Sequence, residues 1–169
     1  MGNKKQGEQA LTYIVVGIYF LILCWAILFK FAVSIDEIPS MQALNLIPFH
    51  YDQLSGSRFH FTEVLENALV FIPAGFYLTE LLNKKPWPGI LACAALSLCF
   101  ETLQYVFAIG SSDITDVITN TIGGVLGTGL YLVLGKLFKG RQVRIISITG
   151  AVLEIVFIGL MILLAIANS

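Results

Sequence analysis

Five long apolar runs dominate the sequence and restrict the folds open to it. Each has about the length of roughly 20 residues that an α-helix needs to cross the hydrocarbon core of a bilayer. The predicted membrane helices cover approximately residues 11–33, 64–82, 87–107, 117–137 and 145–166. The sequence therefore predicts an all-α, polytopic membrane protein built as a bundle of five transmembrane helices.

Composition supports a place in the membrane. The chain is 57% hydrophobic and 12% charged, with a mean hydropathy of +0.83, whereas soluble domains average about 25% charged residues. A net charge of -1 argues against a nucleic-acid partner, because such proteins usually carry a basic patch. The three cysteines, Cys24, Cys93 and Cys99, lie inside apolar runs and are interpreted as packing residues. No cysteine or histidine spacing indicates a metal site.

The first apolar run resembles a secretory signal peptide, since Lys4 and Lys5 precede it and small residues flank position 33. However, the run is longer than the roughly 7–15 residues of a signal-peptide core. We therefore predict an uncleaved first transmembrane helix behind a cytoplasmic tail at residues 1–10. Helices one to four occupy residues 11–137, and the fifth lies within 138–169.

The basic residues predict the orientation of the chain. With the N-terminus in the cytoplasm, all of the 10 Lys and Arg residues except Lys30 and Arg58 fall on the cytoplasmic side, as the positive-inside rule requires. The C-terminus is then extracytoplasmic. The first outer connection, residues 34–62, is a long loop that holds both histidines, His50 and His60, and long loops are often functional.

Polar residues gather near the outer ends of the second, third and fourth predicted helices. They are Glu63, Glu66 and Asn67, then Ser97, Glu101 and Gln104, and finally Asp113, Asp116 and Asn120. Carboxylates within a membrane usually face the bundle interior or a wet cavity, so we expect the three helices to share one polar site. Ionised carboxylates placed together repel one another. A proton, a bound cation, or a neighbouring Lys30 or Arg58 is expected to compensate.

Glycines predict close helix packing in the fourth helix. Gly123 and Gly127 form a small-xxx-small pair, which lets another helix approach. We expect them to bring the third and fourth helices together, so that Asp116 and Asn120 point at the Glu101-x2-Gln104 motif.

Structural explanations compete with functional ones for several of these residues. Asp113 is well placed as a helix N-cap, with Asp116 three residues later in a capping-box arrangement. Asp116 also lies on the stripe that contains Asn120, which makes it the better candidate for the shared site. Glu154, about two turns into the fifth helix, is expected to hydrogen-bond within the bundle.

Ordered motifs then indicate a family. They are Asn-Leu-Ile-Pro-Phe at 45–49, Glu66-Asn67-x3-Phe71-x-Pro73-x-Gly75, Glu101-x2-Gln104, Asp113-x2-Asp116-x3-Asn120 and Gly123-x3-Gly127. Together they resemble the VanZ-like family of bacterial membrane proteins over approximately residues 45–137. The resemblance implies a small polytopic protein of the cell membrane. The founding member of the family is associated with teicoplanin resistance, but the family pattern names no reaction.

The chain departs from the family pattern at Gly110, where relatives commonly carry Arg. The resemblance therefore predicts a more acidic site here, one that depends more on a proton or a cation. Arg58 is a candidate replacement.

The predicted site residues follow from the polar pattern and the resemblance. The ligand-binding candidates are Asn45, Glu66, Asn67, Glu101, Gln104, Asp113, Asp116 and Asn120. Glu66, Glu101 and Asp116 are also the candidates for catalysis. No metal ligands or cofactor are predicted, although a divalent cation at the carboxylates remains open.

Three hypotheses follow for the function. The first is a multi-pass envelope protein of the bacterial plasma membrane, with membrane lipids as neighbours and homo-oligomerisation open. Its outward-facing pocket would bind lipid-linked cell-wall (peptidoglycan) precursors or a lipoglycopeptide antibiotic. The second is an intramembrane enzyme that uses paired carboxylates on a lipid phosphate or acyl group. The third is a transporter or flippase component, which five helices without inverted repeats support poorly. The sequence does not decide whether the protein is an enzyme.

Overall fold

The computed structural model describes residues 2–32, 36, 38, 40–49 and 57–167, with the backbone alone at residues 2–5 and 57–60. His50 lies outside the described residues, and so do the side chains of Arg58 and His60. The predicted roles of these three side chains therefore stay predictions.

The described chain contains five α-helices: α1 (Gly2–Phe29), α2 (Ser57–Leu81), α3 (Pro86–Phe107), α4 (Ile114–Leu137) and α5 (Gln142–Ala167). All five contain a stretch long and apolar enough to cross a membrane, so the five predicted helices are confirmed. α2 begins inside the predicted outer loop and continues through Pro73. α3 begins with two prolines in its first turn and ends at Ala108, whose left-handed backbone (φ 53°) turns the chain away.

The described chain is mostly helical, as predicted, and it also contains two short strands that the sequence did not predict. β1 (Met41–Asn45) and β2 (Ile109–Asp113) form a two-stranded parallel sheet. The register places Met41 beside Ile109 and Asn45 beside Asp113. Parallel strands need a long crossover connection, and here α2 and α3 supply it. The sheet therefore joins the segment before α2 to the segment between α3 and α4. β2 ends directly before the first residue of α4.

The chain forms two compact units. The terminal unit comprises Met1–Leu23 and Leu134–Ser169, and the central unit comprises Cys24–Val133. In the terminal unit, Arg144 Nη1 lies 3.0 Å from Glu8 Oε1, and the Ser147 hydroxyl donates to Thr12 Oγ1 at 3.1 Å. Glu154 makes no hydrogen bond or ion pair with any residue that the structure describes, so the expected bond within the bundle is not found there.

Glycines set the helix packing in the central unit. A Cβ atom at Gly123 or Gly127 would collide with carbonyl oxygens of α2, those of Ala68 and Ile72 respectively. Gly124 lies instead against α3. The predicted close approach is confirmed, but the prediction named the wrong partner, because the Gly123–Gly127 pair faces α2 rather than α3.

Candidate functional site

Asp113 lies where β2 ends and α4 begins, and it caps the helix as predicted. Its Oδ1 atom accepts a hydrogen bond from the backbone N–H of Thr115 at 2.7 Å. The predicted capping box is wrong, however. The backbone N–H of Asp113 donates to Glu101 Oε2 at 2.7 Å rather than to Asp116, because β2 places that N–H against α3.

The Glu101-x2-Gln104 motif is covered by one face of β2. Glu101 is only 3% exposed, and the Ser112 hydroxyl faces its carboxylate. Gln104 Nε2 donates to the carbonyl oxygen of Ile27 at 2.9 Å, so this amide binds α1. A Cβ atom at Gly110 would lie 3.5 Å from Gln104 Nε2. Glu101 thus contacts the start of α4, whereas Gln104 does not.

Asp116 is held by α2. Asn67 Nδ2 donates to Asp116 Oδ1 at 2.8 Å. Asp116 also interacts electrostatically with the carboxylates of Glu101, Glu63 and Asp113 and with the ammonium group of Lys30. The structure therefore brings together four acidic residues, Glu63, Glu101, Asp113 and Asp116, which we call the carboxylate cluster. Lys30 also interacts electrostatically with Glu101, but it forms no ion pair with the cluster among the described residues.

Glu66 lies away from the cluster. Its side chain is exposed and has no hydrogen bond or ion pair within the described residues. Glu63 lies instead in the cluster position that was predicted for Glu66. Glu63 is one helical turn from Asn67, whereas Glu66 is the residue next to Asn67 and lies about 100° away around the helix. The Glu63-x3-Asn67 spacing was the available signal, and the family motif favoured Glu66 instead.

Asn120 reaches α3 one turn deeper than expected. Its Nδ2 atom donates to Ser97 Oγ at 2.9 Å, and the residue is 1% exposed. Its Oδ1 atom has no hydrogen-bond partner among the described atoms. Asn120 therefore points at the third helix as predicted, but it binds Ser97 rather than Glu101 or Gln104.

Asn45 fastens the segment after β1 to the start of α4. Its Nδ2 atom donates to Asp113 Oδ2 at 3.0 Å, and its Oδ1 atom accepts from the backbone N–H of Ile47 at 3.1 Å. The backbone N–H of Phe49 then donates to Thr115 Oγ1 at 3.0 Å. The Asn-Leu-Ile-Pro-Phe motif is thus hydrogen-bonded at both of its ends to the start of α4.

A cleft of about 190 Å³ opens beside the carboxylate cluster. It is lined by Leu44, Leu46, Leu98, Glu101, Thr102, Tyr105, Ser112, Asp113, Ile114 and Val117. Its walls are apolar and come from β1, α3 and α4, while two members of the cluster provide its carboxylates. Such a cleft fits a ligand that has both an apolar part and a hydrogen-bonding group.

No three His, Cys, Asp or Glu side chains within the described ranges are placed to hold a metal ion. Three of the four acidic residues accept hydrogen bonds from protein groups: Glu101 from the backbone N–H of Asp113, Asp113 from Thr115 and Asn45, and Asp116 from Asn67. The divalent cation that the sequence left open therefore stays a prediction.

Comparison with known proteins identifies the family. The VanZ/LLP1 family model matches residues 16–135, which extends the resemblance from residue 45 back into α1. The chain is also 35% identical to Protein VanZ of Enterococcus faecium over 147 residues, which cover 85% of this chain and 88% of that protein. No solved structure gives a significant match. Because the family model matches most of the chain and the likeness to this relative covers most of both proteins, the chain belongs to the VanZ/LLP1 family.

Proposed function

We propose that the chain is a non-enzymatic envelope protein of the bacterial plasma membrane. Its cleft binds an amphiphile, either a lipid-linked cell-wall precursor or a lipoglycopeptide antibiotic. The observation that carries the proposal is the cleft itself, whose lining combines apolar side chains with the carboxyl groups of Glu101 and Asp113. The association of the VanZ family with teicoplanin resistance supports this choice of ligands.

The lining of the cleft matches the two parts of such a ligand. Leu44, Leu46 and Leu98 are 53%, 67% and 56% exposed, so they offer an apolar surface for an acyl or isoprenoid chain. Glu101 and Asp113 offer acceptor oxygens, and no Lys or Arg is among the described residues that line the cleft. The polar end therefore suits hydroxyl, amide or ammonium donors of a headgroup.

The orientation of the chain places the cleft near the outer leaflet in this proposal. The basic residues favour a cytoplasmic N-terminus. With that orientation, the C-terminal end of α3 and the first turn of α4 face the outside. Cell-wall precursors and antibiotics both reach the protein from that side.

Binding accounts for the carboxylates better than catalysis does. A general acid or base must be free to exchange a proton with the substrate. Glu101 already accepts from the backbone N–H of Asp113, and Asp113 accepts from Thr115 and Asn45. These groups are fixed in place as acceptors, which favours recognition of a ligand over proton transfer.

Binding of a fluorescent lipid-linked precursor and of a fluorescent lipoglycopeptide to protein in nanodiscs tests the proposal. Leu98→Ala removes one wall of the cleft, and we expect about three- to tenfold weaker binding because van der Waals contact is lost. Leu91→Ala is the matched control, since Leu91 lies on the same helix, is 65% exposed and does not line the cleft.

Glu101→Gln tests the polar end of the same cleft. The amide keeps one acceptor oxygen for Asp113 but replaces the other oxygen with an NH2 donor, so we expect about tenfold weaker binding of a ligand that donates hydrogen bonds. The proposal is wrong if neither probe binds saturably. It is also wrong if Leu98→Ala and Glu101→Gln both bind as the wild type does.

A further inference from the structure

The C-terminal end of α3 extends beyond the first residue of α4. Two contacts align the helices: Asn120 Nδ2 donates to Ser97 Oγ at 2.9 Å, and a Cβ atom at Gly124 would lie 2.6 Å from Cys93 Cβ. From Ser97, α3 continues for ten residues, whereas from Asn120 the start of α4 is only six residues away. The second contact gives the same difference of four residues, which at 1.5 Å per residue is roughly 6 Å.

β2 therefore runs back along α3 before α4 begins. A Cβ atom at Gly110 would lie 3.5 Å from Gln104 Nε2, and the backbone N–H of Asp113 donates to Glu101 Oε2 at 2.7 Å. β1 is parallel to β2 and ends at Asn45, beside Asp113. The sheet thus lies beside about the last two turns of α3, a helix that is apolar enough to cross the membrane over its whole length.

The four residues after β1 are apolar and exposed. Leu46, Ile47 and Phe49 are 67%, 60% and 43% exposed, and Pro48 between them is exposed as well. Contiguous apolar surface of this kind marks contact with a membrane or with another protein. Because the run follows Asn45 directly, it begins at the depth of α3 that the end of the sheet reaches, and this depth favours the membrane.

The backbone of the same run has its N–H groups satisfied at residues 47–49. The N–H of Ile47 donates to Asn45 Oδ1 at 3.1 Å, and the N–H of Phe49 donates to Thr115 Oγ1 at 3.0 Å. Pro48 has no N–H. The hydrocarbon of a bilayer accepts no hydrogen bonds, so backbone donors at membrane depth have to be satisfied within the protein. These three residues meet that condition.

We propose that residues 46–49 insert into the leaflet that surrounds the C-terminal end of α3, where Leu46, Ile47 and Phe49 contact lipid acyl chains. The partner of this surface is the bilayer itself. Asn45 and Thr115 hold the inserted segment through the hydrogen bonds given above. The proposal rests on the position of the sheet, so it does not depend on a ligand in the cleft.

Quenching of a single tryptophan by lipids that are brominated on their acyl chains tests this insertion. Trp25 and Trp87 are first replaced by Phe, and Ile47→Trp or Phe49→Trp then places the probe in the segment. Leu91→Trp is the lipid-facing reference, because Leu91 is 65% exposed and lies roughly 8 Å from the start of α3, a depth similar to that of the segment below the opposite end. In nanodiscs, we expect both probes to lose about as much fluorescence to brominated lipid as Leu91→Trp loses.

Arg141→Trp is the water-facing control, since Arg141 is exposed between α4 and α5. We expect brominated lipid to quench it at least about threefold less than Ile47→Trp, and iodide in the water to quench it at least about threefold more. If Ile47→Trp does not fold, Phe49→Trp decides alone, because it exchanges one aromatic side chain for another.

Probes at 47 and 49 that behave like Arg141→Trp would overturn the proposal. Probes that neither brominated lipid nor iodide quenches would overturn it too, because the segment would then be covered by protein.

Discussion

Asp113 connects four elements with one side chain and one backbone group. Its N–H donates to Glu101 of α3, its Oδ1 accepts from Thr115 of α4, and its Oδ2 accepts from Asn45 of β1. Asp113 itself ends β2. An aspartate suits this position because its two oxygens point at different donors while the backbone remains in the sheet.

Replacing Asp113 tests this role. Asp113→Ala removes the helix cap and the bond to Asn45, so we expect the free energy of unfolding to fall by about 2 kcal/mol. Reversible unfolding in mixed detergent micelles measures the loss. Glu66→Ala removes an exposed carboxylate and should stay within about 0.5 kcal/mol of the wild type. Equal effects of the two variants would contradict the assignment.

Glu101 gives a second prediction at the same scale. Glu101→Leu leaves the half-buried N–H of Asp113 without its acceptor, so we expect a loss of about 1–3 kcal/mol of folding stability. Glu101→Gln keeps an acceptor oxygen and should cost clearly less. The same unfolding measurement compares the two, and a Gln variant as unstable as the Leu variant would show that the hydrogen bond is not the stabilising contact.

The sequence predicted which types of residue form the site, but not which of them contact each other. The sequence placed carboxylates and amides near the ends of three helices, and Asn67, Glu101, Asp113 and Asp116 do meet. The spacing of Glu63 and Asn67 favoured Glu63, but the family motif favoured Glu66, and the rotation of that helix depends on its packing. Sequence spacing along single helices cannot fix contacts between helices.

Elements differ in how well the sequence foretold them. The five helices are long and apolar, and this local signal suffices to identify membrane spans. The two strands are five residues each, and β2 reads Ile-Gly-Ser-Ser-Asp, a composition typical of turns. Their pairing joins residues 68 positions apart, Asn45 and Asp113 for example, and no local pattern reports a contact of that kind.

The close contact between α4 and α2 leads to a prediction about how the two helices pack. Gly127→Ala would drive a methyl group into the carbonyl oxygen of Ile72, so we expect about 1–3 kcal/mol of destabilisation from overpacking. Gly129 lies on the same helix, and nothing lies within 4 Å of a Cβ atom there. Gly129→Ala should therefore be neutral, or stabilising by up to about 1 kcal/mol. Thermal unfolding of the two variants in detergent distinguishes them, and similar losses for both would contradict the close approach at Gly127.

At the scale of the whole molecule, the region matched by the family model and the compact central unit cover nearly the same residues. The match spans residues 16–135, and the central unit spans Cys24–Val133. The carboxylate cluster, the sheet and the cleft all lie within that unit. α5 follows the matched region, and its one intramembrane carboxyl group has no role in the cleft. The ligand binding proposed above therefore involves the central unit alone.

The orientation of the molecule in the membrane supplies the last prediction. Five spans would put the two termini on opposite sides of the membrane. Lys and Arg are in excess near the C-terminal ends of α2 and α4 and the N-terminal ends of α3 and α5, which favours the cytoplasmic side for those ends. Alkaline phosphatase is active only outside the cytoplasm, whereas green fluorescent protein folds only inside. We expect fusions after residues 85 and 140 to fluoresce without phosphatase activity, and a fusion after residue 167 to show the reverse. Phosphatase activity after residue 85 would place the cleft at the inner leaflet, where an extracellular antibiotic does not reach it, and binding of lipoglycopeptides would then have to be abandoned.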